Sequence, residues 1–248
     1  MMKIISYILS SIFLILFYLI LIIFHPLQWF GLTFFGYKGH KFLVDLMSLL
    51  LMRTTLLLGI HTKFENNFPL KEGLSYLFVA NHQSPFDIAP ISWHFRKYHP
   101  KYVSKIELSK GIPSISFNLR HGGSVLIDRK NGGTALKELL VFGKKINENK
   151  WSSVIFPEGT RSRSGIPKEF SANGLKTLVK TNPEAYVVPI SINNSWCAFK
   201  YGKFPLGLFK TITFKTHEPI KVDSMKFEEL LEKTETIIKN NINHTINV

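Results

Sequence analysis

The chain has 248 residues, and its 31 Lys and Arg against 17 Asp and Glu give a formal net charge of +14 at pH 7. That length suits one sizeable core, and the basic charge favours anionic partners such as acidic lipid, phosphorylated small molecules or nucleic acid. The single cysteine, Cys197, excludes a disulfide within the chain and a multi-cysteine zinc site, which is typical of a domain facing a reducing compartment.

The N-terminal segment predicts a membrane anchor. No residue from Ile4 to Phe24 is charged, and Ile, Leu and Phe predominate. A helix needs about 20 such residues to cross the hydrocarbon core of a bilayer. A cleaved signal peptide would have a shorter apolar region and a small-residue cleavage site, whereas His25 and Pro26 follow here. The sequence therefore favours a retained helix over Ile4 to Phe24.

A second apolar stretch, Phe42 to Ile60, is interrupted by Asp45 and Arg53. Because each charge costs about 2.5 to 3.5 kcal/mol at a bilayer centre, a second full span is disfavoured. Lys41, Asp45 and Ser48 share one helical stripe, so we expect an interfacial helix. Aromatic residues lie between the two apolar segments, either at headgroup depth or in an ordinary loop that contributes to the core: Trp29, Phe30, Phe34, Phe35 and Tyr37.

Beyond residue 60, short runs rich in Val, Ile and Phe alternate with helical patterns. The predicted strands are Ser75 to Ala80, Tyr102 to Ser104, Ser124 to Ile127, Ser153 to Phe156, Ala185 to Ile192 and Thr211 to Lys215. The predicted helices are Pro85 to Arg96, Glu107 to Leu119, Gly133 to Asn147, Phe170 to Lys180 and Lys226 to Lys239. This alternation predicts an α/β fold with a mixed, largely parallel sheet flanked by helices, and active residues at strand ends. We expect anchoring helices over residues 1–60 and a catalytic domain over residues 61–248.

The first chemical motif is the segment Asn81-His82-Gln83-Ser84-Pro85-Phe86-Asp87. Ser84 is a good N-cap and Pro85 suits the first helical position, which places Asp87 at N3. His82 lies in the preceding turn, so its ring can fold back toward Asp87. A carboxylate that binds one ring nitrogen fixes the tautomer and leaves the other nitrogen free to take a proton. The alternative is that Asp87 only completes a capping box and His82 is an ordinary turn residue.

Basic residues follow three of the predicted strands. In the turn after the strand that ends at Phe156, Gly159 permits close approach of a ligand to the backbone and Arg161 can bind phosphate oxygens in pairs. Glu158 could hold that arginine or contact a substrate hydroxyl. Arg129 and Lys105 follow two other strands. The three cations could converge on one anion, although each alone is compatible with a solvated surface charge.

These blocks resemble the membrane-bound 1-acyl-sn-glycerol-3-phosphate acyltransferases of the glycerolipid acyltransferase family. The resemblance rests on four ordered blocks and a Phe-x3-Gly element, within residues 75–192: Asn81 to Asp87, which contains His-x4-Asp, Gly123 to Arg129, Phe156 to Ser162, Val187 to Ile190, and Phe170 to Gly174. Any single block would be a weak signal, whereas four in order are specific.

The resemblance implies that His82 is the general base that deprotonates the sn-2 hydroxyl of 1-acyl-sn-glycerol-3-phosphate and that Asp87 orients it. The oxygen would then attack an acyl thioester and form phosphatidic acid. The alternative is an acyltransferase acting on another lysolipid. A non-enzymatic protein that binds anionic lipids is a remote alternative, because charge and anchoring alone do not require His82 and Asp87.

The resemblance also implies roles for the strand-end residues. Arg161 and Arg129, together with Lys105, would hold the substrate phosphate. Glu158 and Gly159 would shape the acceptor site, and the Gly159 amide would help to stabilise the oxyanion.

The expected partners are membrane lipids, including lysophosphatidic acid and anionic phospholipid, and acyl-CoA or acyl-carrier protein as the donor. No metal or other cofactor is implied, and no nucleic-acid partner, because the charge is not accompanied by a recognised binding motif. We expect an inner or plasma membrane location with the catalytic domain facing the cytoplasm.

Overall fold

The fold is an eight-stranded sheet covered by helices. The computed structural model describes residues 2–66 and 68–243. The strands are β1 His61–Asn66, β2 Tyr76–Ala80, β3 Pro100–Lys105, β4 Val125–Ile127, β5 Ser152–Ile155, β6 Tyr186–Asn193, β7 Thr211–Thr216 and β8 Ile220–Lys221. The helices are α1 Met2–Thr54, α2 Ile88–His94, α3 Ile115–His121, α4 Gly132–Glu148, α5 Ala172–Thr181 and α6 Phe227–Asn240.

The sheet is mixed and mostly parallel, as the sequence predicts. Its order is β1-β7-β6-β2-β5-β3-β4, and β8 pairs with β6. Strands β2 to β6 are mutually parallel, whereas β7 and β8 run antiparallel to β6. The carboxyl ends of β2, β3, β4, β5 and β6 therefore meet along one side of the sheet, which we call the carboxyl edge.

The central strand β2 explains how the core is divided. Leu77 and Val79 point to the face covered by α4, α5 and α6, while Tyr76, Phe78 and Ala80 point to the face covered by α1 and α2. All five residues are buried, which is why this strand is continuously apolar in sequence. The Val187 to Ile190 segment forms the buried middle of β6 beside β2.

The N-terminal helix α1 folds back on itself as a helical hairpin. It breaks at Gly36, which has φ 60° and ψ −151°. Residues 2–35 and 37–54 then run antiparallel, because Gln28 Nε2 contacts Met47 Sδ at 3.3 Å while Gly31 lies against Gly39. A Cβ on Gly39 would lie 2.7 Å from the Gly31 carbonyl oxygen, so this crossing requires glycine.

One stripe of the first hairpin helix packs against the domain, and the rest of its surface is apolar and exposed. Ser10 Oγ accepts a hydrogen bond of 2.8 Å from the Leu206 amide, and Phe13 joins the core beneath β2. Isoleucines such as Ile15 and Ile22 are exposed. Among the described residues, this is the one helix long and apolar enough to cross a membrane by length and composition.

Several boundaries in the N-terminal segment differ from the prediction. The first helix extends past Pro26 to residue 35 and breaks only at Gly36. Proline removes one helical hydrogen bond, and neighbouring structure often compensates in apolar helices. Trp29 and Phe30 are exposed on this helix, so the alternative of a loop with core aromatics fails for them. Tyr37 does pack inward, against Trp151.

The remaining differences lie in the catalytic part. The predicted helix Glu107 to Leu119 is two pieces, a 3-10 turn at Ile106–Ser109 and α3, because Gly111 has φ 90° and Pro113 interrupts the chain between them. The sequence also fails to predict β1 and β8. The six predicted strands are each found with small shifts at their ends.

Candidate active site

The turn after β2 brings His82 and Asp87 together. Ser84 caps a 3-10 turn that begins with Pro85, and its hydroxyl accepts a 3.0 Å hydrogen bond from the Phe86 amide. Asp87 completes the capping box, and its Oδ2 also lies 2.7 Å from His82 Nδ1. The predicted contact and the simpler capping arrangement are thus both present, because one carboxylate serves both.

Asp87 is fully buried, and donors surround its carboxylate. Oδ2 accepts hydrogen bonds from the amides of Gln83 at 2.8 Å and Ser84 at 3.0 Å in addition to the imidazole, and Oδ1 accepts from the Ser195 hydroxyl. An ionised carboxylate can only accept hydrogen bonds, so the hydrogen between Asp87 and His82 belongs to Nδ1 of the imidazole. The Nε2 atom is then left as a proton acceptor.

Three further contacts fix the orientation of His82. Its ring stacks on Phe156, with centroids 4.1 Å apart. Its backbone amide donates to Glu158 Oε1 at 2.7 Å, and its carbonyl accepts from the Ser162 amide at 2.7 Å. The side chain keeps 18% of its surface exposed, so the base is held firmly and is still accessible.

Glu158 joins the loops that follow β2 and β5. Its Oε1 accepts from the His82 amide, and its Oε2 accepts from the Lys168 amide at 2.8 Å. Burial raises the pKa of this carboxyl above its usual value, while the two amide hydrogen bonds oppose the rise. The sequence suggests that Glu158 either holds Arg161 or contacts a substrate hydroxyl. Among the described residues, Glu158 forms no ion pair with Arg161, because its carboxylate binds backbone amides instead.

The turn around Gly159 lies against one of the predicted cations, Arg129. Gly159 has φ 69°, and a Cβ there would lie 3.3 Å from Arg129 Nη1, so the guanidinium at the end of β4 lies against this turn. The Gly159 amide donates to the Phe156 carbonyl at 3.0 Å, so in this conformation the predicted oxyanion donor is engaged within the turn.

Arg161 and Lys105 also lie at the carboxyl edge and are exposed. Arg161 directly precedes Ser162, whose amide contacts His82, and Lys105 ends β3 opposite Ile127 of β4. Within the described residues, neither cation has a hydrogen bond or ion pair to another side chain. Their charges are therefore available to an anionic ligand, and their phosphate-binding role stays a prediction.

The sequence reasoning misses the contribution of β6 and the turn that follows it. Asn81 exchanges two hydrogen bonds with the backbone of Ile192, of 2.9 and 2.7 Å. Gln83 Oε1 accepts from the Ser195 amide at 3.0 Å, and the Ser195 hydroxyl binds Asp87. The available signal is the polar run Asn193-Asn194-Ser195, which directly follows a buried strand.

The edge thus combines a proton acceptor with three cations, of which Arg161 and Lys105 form no ion pair with the described residues. A hydroxyl placed at His82 Nε2 could be deprotonated while an attached anionic group binds Arg129 and Arg161. Among the described residues, no three His, Cys, Asp or Glu side chains converge as metal ligands.

Comparison with known proteins gives matches over this same region. A family model described as Acyltransferase matches residues 61–193. A 1-acyl-sn-glycerol-3-phosphate acyltransferase of Helicobacter pylori is 31% identical over 169 residues, covering 63% of this chain and 65% of the relative. The protein of that name from Saccharomyces cerevisiae is 27% identical over 191 residues, covering 73% of this chain and 59% of the relative. The chain therefore matches about three fifths of the length of these curated relatives.

A solved structure is similar over nearly the whole chain. The crystal structure of PlsC from Thermotoga maritima, described as a 1-acyl-sn-glycerophosphate (LPA) acyltransferase, superposes with a TM-score of 0.78 at 25% identity. The superposition covers 97% of this chain and 95% of that one, so it includes the helical hairpin as well as the sheet.

Proposed function

The chain belongs to the acyltransferase family, and from that premise we propose that it transfers an acyl chain from an acyl thioester to the sn-2 hydroxyl of 1-acyl-sn-glycerol-3-phosphate. The product is phosphatidic acid, a precursor in phospholipid biosynthesis. The names of the curated relatives and of the superposed structure support this choice of acceptor.

The observation that carries the proposal is the His82–Asp87 pair beside the Gly159 turn. The 2.7 Å contact between His82 Nδ1 and Asp87 Oδ2 leaves Nε2 as the base, and the chain itself then needs no nucleophile. Arg129 lies against the adjacent turn, where it can meet a phosphate carried by the same acceptor molecule.

The reaction begins with proton transfer. His82 Nε2 takes the proton of the sn-2 hydroxyl as the hydroxyl oxygen attacks the thioester carbonyl carbon. The resulting imidazolium is stabilised by Asp87, which stays ionised. When the carbon–sulfur bond of the tetrahedral intermediate breaks, the leaving thiolate takes the proton back from His82. The proton therefore passes from acceptor hydroxyl to thiol, and the site returns to its starting state.

The strand-end residues bind and shape the acceptor site in this proposal. Arg129 and Arg161 hold the phosphate through paired hydrogen bonds, and Lys105 adds charge. Glu158 acts as a positioning residue, since it fixes the backbone of His82. Gly159 leaves space for the thioester, and its role toward the oxyanion stays a prediction.

The lipid substrates reach the site through membrane association. The exposed apolar surface of the helical hairpin supports contact with the bilayer, and the net charge of +14 supports attraction to anionic lipid. We propose an inner or plasma membrane location with the sheet on the cytoplasmic side, where acyl-CoA and acyl-carrier protein are both available as donors.

The test uses the purified full chain in detergent micelles with lysophosphatidic acid and a labelled acyl thioester. Labelled phosphatidic acid should form with acyl-CoA, acyl-carrier protein or both, and His82→Ala should form almost none. Failure of the wild-type protein with both donors would refute the proposal.

A second candidate acceptor is another lysolipid, because the same base and loops would serve it. An acceptor panel that includes lysophosphatidylglycerol distinguishes the two. Preference for a lysolipid with a phosphodiester headgroup would replace the proposed substrate, whereas preference for a phosphomonoester supports it.

A further inference from the structure

A polar cavity, separate from the candidate active site, lies between the helical hairpin and the start of β3. It has a volume of about 30 Å³, which is room for about two water molecules or two phosphate oxygens. Its lining includes His40, Lys41 and Asp45 from the hairpin and His99 and Lys101 from the sheet side. Lys101 precedes Lys105 by four strand residues, so the cavity lies about 13 Å from the carboxyl edge.

Lys101 is the central group of this cavity. Lys101 is only 6% exposed. Its ammonium nevertheless makes no hydrogen bond or ion pair with the described residues. Its Nζ lies 4.7 Å from the ring centroids of both Tyr37 and Trp151. Aromatic rings stabilise a cation only partly, and the three N–H donors have no acceptor among the described residues.

Burial lowers the pKa of Lys101 to about 7, and the nearby charge of Lys41 adds to this effect. Lys145 lowers the pKa further, while Asp45 opposes the shift. The ammonium therefore lacks a sufficient counter-charge in the protein, since Asp45 is already paired with Lys41.

The surrounding side chains include groups that can donate hydrogen bonds as well as accept them. His40 is 1% exposed, and its Nε2 has no hydrogen-bond partner. The Asn118 side chain and the Ser124 hydroxyl also line the cavity. Asp45 is the one carboxylate in the lining, and its pairing with Lys41 limits its repulsion of an anion.

We propose that this cavity receives two oxygens of a phosphate group, with Lys101 as their main ligand and His40 as a second donor. It is a site separate from the proposed catalytic one. The phosphate could belong to a phospholipid headgroup or be free inorganic phosphate. The neighbouring hairpin turn exposes Phe34, Phe35 and Phe42 by 62%, 66% and 67%, which would bring the cavity near a bilayer's phosphates.

The first experiment measures phosphate binding in phospholipid-free dodecyl maltoside micelles. The full chain carries Arg129→Met, Arg161→Met and Lys105→Met, so that the proposed catalytic phosphate contacts are absent. Its thermal midpoint is followed as phosphate replaces chloride at constant ionic strength. Adding Lys101→Met should weaken binding about tenfold or more, as expected for the loss of a charge-assisted hydrogen bond. Lys180→Met, at an exposed position on α5, is the matched control.

The second experiment identifies the source of the phosphate. The same proteins are mixed with micelles containing either phosphatidylglycerol or a phosphate-free glycosyl diacylglycerol. Stabilisation by phosphatidylglycerol alone, lost in Lys101→Met, identifies a lipid headgroup; a response to inorganic phosphate alone identifies the free ion. His40→Phe provides an independent variant if Lys101→Met does not fold, with a smaller loss of about threefold to tenfold.

The proposal is overturned if neither phosphate source raises the midpoint, or if the rise is the same with and without Lys101. Because the substitutions of Arg129, Arg161 and Lys105 remove the proposed catalytic contacts, these outcomes do not depend on whether the chain transfers acyl groups.

Discussion

Asp87 and Lys101 are two buried charges that the fold treats in opposite ways. Asp87 accepts hydrogen bonds from an imidazole, two amides and a hydroxyl. Lys101 has only two aromatic rings beside its ammonium. A satisfied buried charge is held rigidly and can orient a neighbour, whereas an unsatisfied one gains free energy from a ligand. The contrast distinguishes a group that positions its neighbour from a group that recruits a ligand.

The proposed orienting role of Asp87 is tested most severely by removing His82, the group that Asp87 orients. His82→Ala should lower kcat by roughly 10²- to 10⁴-fold, because the general base is lost. His61→Ala, on the exposed strand β1, should leave the rate unchanged. Steady-state acyl transfer measures both, and near wild-type turnover in His82→Ala would contradict the role of the pair.

Asp87→Asn should lower turnover by about 10²-fold or more, since tautomer control is lost. The sequence alone suggests little change in stability, but the four donors around the carboxylate revise that expectation. The NH2 group of an asparagine would face these donors, and the donors would lose their charged acceptor. This should cost about 3 kcal/mol of unfolding free energy. Denaturant unfolding checks this against Asp223→Asn, an exposed residue.

Arg161→Ala should raise KM for the acceptor about tenfold with a smaller change in kcat, because a charged contact to the substrate phosphate is lost. Arg163→Ala, an exposed arginine two residues farther on, is the matched control. Equal acceptor saturation in the two variants would count against the phosphate assignment.

Ser195→Ala removes one of the donors to Asp87 and should lower kcat about fivefold, as expected for one net hydrogen bond of about 1 kcal/mol. Ser224→Ala, at an exposed serine, should leave kcat unchanged. Equal kcat in the two variants would contradict the supporting role of Ser195.

Lys101→Met should raise the thermal midpoint by a few degrees at pH 6 in phosphate-free buffer. The folded pKa of Lys101 is about 7, below the value of about 10.4 in an unfolded chain, so the unfolded state binds more protons between these values. Stability therefore rises with pH across this window, and the cost of burying the charge is fully present below it. The gain in Lys101→Met should shrink by pH 9; an equal gain at both pH values would contradict the shift.

The parts of the fold that the sequence predicts are those whose residues are buried on both sides. Strand β2 is continuously apolar, so its position follows from composition. Strand β1, His61–Asn66, has mixed polar residues and is recognised only through its backbone pairing with β7. The apolar run Ile4 to Phe24 predicts a helix, but its pattern does not locate the break, which lies at Gly36.

In the candidate site too, some contacts follow from local sequence and others depend on the order of the strands. His82 and Asp87 are five residues apart, and cap chemistry alone brings them together. Ser195 lies 108 residues beyond Asp87, and its contact depends on β6 pairing beside β2. Lys101 falls just outside its predicted strand, so nothing local marks it as buried. Contacts set by sheet order need the structure, because local pattern carries no information about strand neighbours.

The hydrogen bonds between Asn81 and Ile192 join positions 111 residues apart. During synthesis at about 5 to 20 residues per second, the ribosome adds the partner strand on the order of ten seconds after the histidine turn has been made. Until then the turn lacks its hydrogen bonds to Ile192, and His82 and Asp87 are not held as they are in the finished sheet. Acyl transfer would therefore report completion of the central sheet, and a nascent chain would gain activity late, in one step, when β6 docks.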